Sequence, residues 1–168
     1  SGYGAYLLSS SNNNNVYSNT ITTSGRSGNG VIASSSSNNS VYSNNITTSN
    51  ITSYGIYLNN NVYNSTIYDN NITTKNMTRS YGIYLLQNVN NNTFFRNKIT
   101  SLAIGVLING TAQTATQTTR FNTFTNDTIV PCSIGCAANY QDIVLTVNAT
   151  DITFTNVSLN KSRVDFVP

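Results

Sequence analysis

Five copies of one short apolar segment recur along the chain at nearly constant intervals. Tyr3-Gly4-Ala5-Tyr6-Leu7 is followed by Asn29-Gly30-Val31-Ile32-Ala33, Tyr54-Gly55-Ile56-Tyr57-Leu58, Tyr81-Gly82-Ile83-Tyr84-Leu85 and Ile104-Gly105-Val106-Leu107-Ile108, with Gly-to-Gly spacings of 26, 25, 27 and 23 residues. A second segment repeats in step with the first: Val16-Tyr17-Ser18-Asn19-Thr20-Ile21, Val41 to Ile46, Ile67 to Ile72, Phe94 to Ile99 and Phe124 to Ile129. The last copy lies 30 residues on from its predecessor, which places the extra length in the Thr- and Gln-rich stretch from Thr111 to Arg120. A period of this size means a solenoid, in which each repeat buries its apolar face against its neighbours.

Within a unit, apolar and polar residues alternate over three or four positions and are broken by Asn, Ser and Gly, the pattern of short strands between turns. Asn, Ser, Thr and Gly are poor helix formers, and no segment has a helical period. The expected fold is therefore all-β: a parallel β-helix of about five 25–27-residue coils over residues 1–130, with a divergent C-terminal coil over 131–168 in the same domain. Ala5 and Leu7, Val31 and Ala33, Ile56 and Leu58, Ile83 and Leu85, and Val106 and Ile108 should line one wall of the core. Val16, Val41, Ile67, Phe94 and Phe124 line a second, and Ile21, Ile46, Ile72, Ile99 and Ile129 a third.

Composition restricts the chemistry. The 168 residues include 30 Asn and 45 Ser plus Thr, five Asp, no Glu, no His, no Trp and one Met; 8% are charged. No His-based triad, His-ligated metal site or Glu base can be built from this chain. The 38% hydrophobic content suffices for a core. The net charge of +3 comes from scattered Lys and Arg with no basic stripe, so nucleic acid is not an expected partner. No apolar stretch approaches the roughly 20 residues of a membrane span.

One polar column runs Asn19, Asn44, Asn70, Asn97 and Asp127, three residues after the inward residue of the preceding strand. Stacked Asn side chains at a bend can satisfy backbone groups above and below them, and Asp127, which accepts without donating, should end the ladder. On the outer surface Tyr17, Tyr42, Tyr68 and Phe95 form an aromatic column, and Tyr6, Tyr57 and Tyr84 another. These rings either stack on one another along the coils or offer a carbohydrate-binding face.

These motifs resemble the right-handed parallel β-helix repeat family, in particular Asn-rich versions found in archaeal cell-surface proteins. The likeness covers residues 1–130 and implies a right-handed solenoid. The segment Asp151 to Val164 resembles the stretch by which such proteins leave the helix for a following β-sandwich module. Hydrolases of the family set two or three Asp on one face, whereas Asp69 and Asp127 are the only Asp of the repeat region, two coils apart and in different columns. Lyases of the family use an acidic calcium cluster with a basic residue; Arg96 and Lys98 are near one another, but the cluster is missing. Copper-processing relatives need soft or imidazole ligands that Met77 alone does not supply. No catalytic residue, metal ligand or cofactor is expected.

Cys132 and Cys136 are the only cysteines, and a disulfide closing their short loop would imply an oxidising exterior. Asn-Xaa-Ser/Thr sequons occur at Asn38, Asn45, Asn50, Asn64, Asn71, Asn76, Asn91, Asn109, Asn126, Asn148, Asn156 and Asn160. Asn38, Asn64 and Asn91 share one column and Asn45 and Asn71 another, beside predicted turns, so N-glycans are expected partners, although an Asn- and Thr-rich repeat also generates sequons automatically. The first residues enter directly as a repeat strand with no cap, so copies of the chain or neighbouring domains are expected against the solenoid ends. The sequence therefore points to a non-catalytic extracellular structural or adhesive surface protein; a carbohydrate-binding module is the alternative, with a polysaccharide lyase or hydrolase third.

Overall fold

A computed structural model describes residues 2–110, 117–130, 132 and 134–167. Three parallel sheets run the length of the molecule and enclose one apolar core, as a stack of about six coils. The largest contains seven strands, Ala5–Leu8, Val31–Ser34, Ile56–Asn59, Tyr81–Leu86, Ile104–Asn109, Gln141–Leu145 and Val164–Phe166, in that spatial order. A six-stranded sheet contains Asn15–Tyr17, Ser40–Tyr42, Thr66–Tyr68, Thr93–Phe95, Thr123–Thr125 and Thr153–Thr155. The third has five strands, Thr20–Thr23, Asn45–Thr48, Asn71–Thr74, Lys98–Ser101 and Thr128–Val130, and two-stranded patches join Val62–Tyr63 to Val89–Asn90 and Thr119–Arg120 to Ala149–Thr150.

Every strand pairs with its counterpart one coil away, so equivalent residues stack in register: Ile56 opposite Ile83, Ile67 opposite Phe94, Ile72 opposite Ile99. The two-residue alternation turns Ile56 and Leu58 fully inward and leaves Tyr57 between them on the outer face. All three predicted walls of the core appear, and their members in the middle coils are almost wholly buried. Phe94 and Phe124 stack at 4.4 Å inside the six-stranded sheet, and Phe154 continues the column at 4.9 Å.

That third ring belongs to the expected divergent C-terminal coil, in which Asp151 to Val164 lies. Thr153–Thr155 pairs with Thr123–Thr125, and Val164–Phe166 pairs with Gln141–Leu145, so within the described residues the segment is a further coil. The reason lies in Phe154, Leu159 and Val164, which keep the inward apolar spacing and pack against the core. The proposed insertion from Thr111 to Arg120 lies largely in 111–116, outside the described residues; Thr119 and Arg120 form a strand beneath Ala149 and Thr150.

The repeated glycine answers a steric demand. A Cβ on Gly55 would lie within 2.6 Å of the Gly82 carbonyl oxygen and collide with Ile72 Cγ2, and Gly30 and Gly82 meet the same two obstacles. Coils approach one another, and the seven-stranded sheet approaches the five-stranded one, closer than a side chain permits. Gly55→Ala is expected to lower the free energy of unfolding by about 3 kcal/mol or to abolish folding, measured by chemical denaturation against the parent protein.

Candidate functional site

Each coil turns from sheet to sheet at two corners of the same construction, a residue at positive φ followed by a polar side chain that points inward. The second corner holds Ser18, Ser43, Asp69, Arg96 and Asn126 at φ between 54° and 55°. The residues after them are Asn19, Asn44, Asn70, Asn97 and Asp127, and all but Asn19 are buried. Asn44 donates both its backbone N–H and its Nδ2 to Asn70 Oδ1, at 3.1 and 3.0 Å, and Asn70 does the same to Asn97. The amide of Asn70 also reaches back to the Val41 carbonyl at 2.9 Å, so each Asn ties three successive coils together.

Asp127 receives the last of these bonds on Oδ1, from Asn97 N–H at 2.7 Å and Asn97 Nδ2 at 2.9 Å. Its Oδ2 is buried without a partner, and Val157 takes the ladder position in the next coil. Burial pushes the Asp127 carboxyl up to about 6, against the pull of the two Asn97 bonds.

A second ladder at the first corner was missed in the sequence: Asn14, Asn39, Ser65, Asn92 and Asn122. Its signal was present, since each lies two residues before the inward residue of the next strand. The serine hid it. Ser65 Oγ accepts the Asn39 N–H at 3.2 Å, but Asn39 Nδ2 is left buried and unpaired.

The outer aromatic column is a continuous stack. Tyr17 lies 5.0 Å from Tyr42, Tyr42 lies 4.8 Å from Tyr68, and Tyr68 lies 4.7 Å from Phe95, with ring planes within 4° of parallel. The Arg96 guanidinium sits 4.5 Å above the Phe95 ring and forms a bidentate pair with Asp69 at 2.8 and 2.7 Å, which holds the Asp69 carboxyl below its ordinary range. Each interior ring thus turns both faces to a neighbour and shows solvent its edge and hydroxyl. Carbohydrate stacking needs an open ring face.

A second aromatic cluster, only half seen in the sequence, lies on the seven-stranded sheet. Tyr54 stacks on Tyr81 at 5.2 Å and Tyr57 on Tyr84 at 5.1 Å, and the two stacks meet edge-to-face at about 5 Å. Burial raises all four phenols, Tyr54 to about 12, so they are neutral hydrogen-bonding groups at ordinary pH.

Residues 132–163 contain a third assembly that no repeat could reveal. Cys132 and Cys136 form a disulfide with 5.9 Å between their Cα atoms. The Tyr140 hydroxyl donates to the buried Asp142 carboxylate, whose other oxygen accepts the Asn160 N–H. Burial, with the Asp142 carboxylate beside it, pushes Tyr140 up to about 12. Arg163 lies 4.7 Å over the Tyr140 ring and donates to the Cys132 carbonyl at 3.4 Å, joining the disulfide loop to the last coil.

The carboxylates are therefore dispersed. Asp69 is paired at the surface, Asp127 caps a ladder and Asp142 sits under Tyr140; Lys98 is exposed at a strand start and joins neither Asp69 nor Arg96 in a groove. A recess of about 320 Å³ near the last strands is lined by Leu145, Thr146, Val147, Asn148, Ala149, Phe166 and Val167, none of them ionisable. Of the twelve sequon residues, Asn38, Asn45, Asn64, Asn71, Asn91, Asn126 and Asn156 are exposed, and Asn50, Asn76, Asn109, Asn148 and Asn160 are partly buried.

In-register parallel sheets closed round one core, with Asn ladders at the corners, define the class: a parallel β-helix repeat protein. Residues 1–129 match the family described as periplasmic copper-binding protein (NosD), and the chain belongs to that family. Neither a curated protein nor a solved structure matches it.

Two outcomes follow from the ladders. Replacing Ser65 with Asn gives Asn39 Nδ2 its missing acceptor and is expected to raise the unfolding free energy by about 1 kcal/mol in denaturant titration. Asp127 holds its proton more tightly when folded than when unfolded, where it titrates near about 4. Its contribution is present in full below that pH and lost as pH rises through about 6. Asp127→Asn should remove that decline and leave the protein about 2–3 kcal/mol more stable at pH 7.5 than its parent, read from paired unfolding curves between pH 4 and 8.

Proposed function

We propose that this chain is a non-catalytic, N-glycosylated structural element of an extracellular or periplasmic surface, whose edges stack against further solenoid, either another copy or a neighbouring domain. The observation that carries the reading is the use of the repeat-region carboxylates as fasteners. Asp69 is neutralised by Arg96 across one coil, and Asp127 is sealed in a ladder, so neither stands beside a second acid across an open groove.

The family description names copper, and the donor set of this chain does not fit that ion. Histidine is absent, Met77 is half exposed and is the sole methionine, and both cysteine sulfurs are committed to the disulfide. Among the described residues no three Cys, Asp or Glu gather closely enough to hold a metal. The location is supported by the family's periplasmic description and by the disulfide, which persists in oxidising compartments. Among the described residues no helix is long and apolar enough to cross a membrane.

Stacking is supported by the two edges of the seven-stranded sheet, where Tyr3, Tyr6 and Leu8 at one and Phe166 and Val167 at the other are exposed apolar groups beside unpaired strands. The carbohydrate-binding alternative is weakened by the closed ring faces of Tyr42, Tyr68 and Phe95. Electron microscopy and intact-mass analysis of the protein from its native source test the proposal together. Expected are end-to-end assemblies, with a repeat of about 29 Å per six coils, and a mass above that of the polypeptide. Unmodified single particles would overturn it, and retention on a glycan array would then favour the binding module.

A further inference from the structure

The twelve sequons differ in what their side-chain amides already do. Asn71 Nδ2 donates to Asn45 Oδ1 at 3.2 Å, and Asn156 Nδ2 to Asn126 Oδ1 at 2.7 Å, so these four are paired across coils. Asn50 Nδ2 donates to the Ser24 carbonyl at 2.8 Å. Asn76 accepts the Thr78 N–H and Asn160 the Ser162 N–H through Oδ1. Asn109 bonds Tyr84, and Asn148 is engaged as well. Asn38, Asn64 and Asn91 remain. They stand one above another at the first corner, exposed, at φ 57°, 53° and 57°, and their side chains make no hydrogen bond among the described residues.

We infer that Asn38, Asn64 and Asn91 form the glycan-bearing column and that coil spacing restricts it to alternate members, Asn38 with Asn91 or Asn64 alone. This rests on the glycosylated reading above. The corner suits the modification for a reason separate from exposure. A positive φ is tolerated by Asn, the next residue points inward to the second ladder, and the one after it, Ser40, Thr66 or Thr93, opens a strand with its hydroxyl outside the core. The fold thus presents the acceptor amide and the sequon hydroxyl on the same outer edge, with the intervening side chain out of the way.

The co-substrate is an oligosaccharide carried on a lipid pyrophosphate. Asn Nδ2 forms a bond to the anomeric carbon of the first sugar, the bond from that carbon to the pyrophosphate oxygen breaks, the lipid pyrophosphate departs and one amide proton is released. Sugar at Asn50, or within the Asn45–Asn71 and Asn126–Asn156 pairs, would crowd an amide that the folded chain already uses. At the free column it displaces nothing.

Spacing then sets the occupancy. Stacked rings on the same coils lie 4.8 Å apart between Tyr42 and Tyr68 and 4.7 Å between Tyr68 and Phe95. The Asn column has the same pitch, and its members occupy the same positive-φ turn of successive coils. A hexose with its equatorial substituents is broader than that pitch, whereas members two coils apart are separated by about 9.5 Å.

Site-resolved glycopeptide mass spectrometry, with intact mass on the protein from its native source, tests this. Sugar should be found on the column, with no molecule carrying it on two adjacent members. Thr66→Ala, which removes the Asn64 sequon without touching the corner, should raise joint occupancy of Asn38 and Asn91. Thr47→Ala, which removes the Asn45 sequon, should leave the mass distribution unchanged apart from the substitution. Sugar on Asn45, Asn71, Asn126 or Asn156 with a bare column, or on Asn38 and Asn64 in one molecule, would overturn the inference alone. Absence of sugar from every sequon would overturn the glycosylated reading and the inference together.

Discussion

The corners, more than the sheets, decide whether a chain of this composition can form a solenoid, because a bend between two sheets breaks the ladder of backbone hydrogen bonds just where the chain closes round its core. A buried N–H left unpaired there costs about as much as a lost hydrogen bond, and the cost recurs at every coil. The two asparagine ladders solve this with one residue per corner: Oδ1 accepts the backbone N–H and the amide of the coil before, and Nδ2 donates onward and back. Serine can fill the position only in part, as Asn39 Nδ2 shows, and aspartate only at the end of a column, as Asp127 Oδ2 shows. The high Asn content is thus a structural requirement before it is anything else.

The same register that lets the ladders form multiplies like groups on the surface. A tyrosine repeated at one position becomes a stack of rings at the coil pitch, and a sequon repeated at one position becomes a column of acceptors. Stacking converts separate binding faces into a continuous edge, so repetition weakens the carbohydrate reading of Tyr17, Tyr42, Tyr68 and Phe95. Charge is scarce for a related reason, since like charges stacked at this spacing repel. The one ion pair among the described residues, Asp69 and Arg96, occupies adjacent members of a single column with opposite signs.

Much of this was legible in the sequence because register and alternation are periodic properties. Gly30, Gly55 and Gly82, the inward Ile and Leu columns, and the ladder from Asn19 to Asp127 all follow from counting, and counting found them. What counting lost were breaks in the period and contacts outside it. Ser65 interrupted the second ladder, Tyr54 and Tyr81 stand before the repeated glycine where the two-residue alternation breaks, and the Tyr140, Asp142 and Asn160 assembly depends on chain segments that repeat nothing. The divergent C-terminal coil departs from the repeat pattern yet continues the solenoid, because Phe154, Leu159 and Val164 pack against the core.

Family membership and chemistry part company on the same ground. A β-helix presents whatever its outward columns carry, and the scaffold that binds a metal in one protein needs only different side chains at the same stations to bind none. Here most stations hold Asn, Thr, Ser and Tyr, hydrogen-bonding groups that keep their charge state across the physiological range. Asp127, whose carboxyl burial raises to about 6, is turned inward at a ladder end, where its protonation acts on stability and touches no surface. With Asp127 serving as a structural cap, Asp69 paired to Arg96, and the column from Tyr17 to Phe95 closed by its own stacking, these side chains favour the structural reading proposed above.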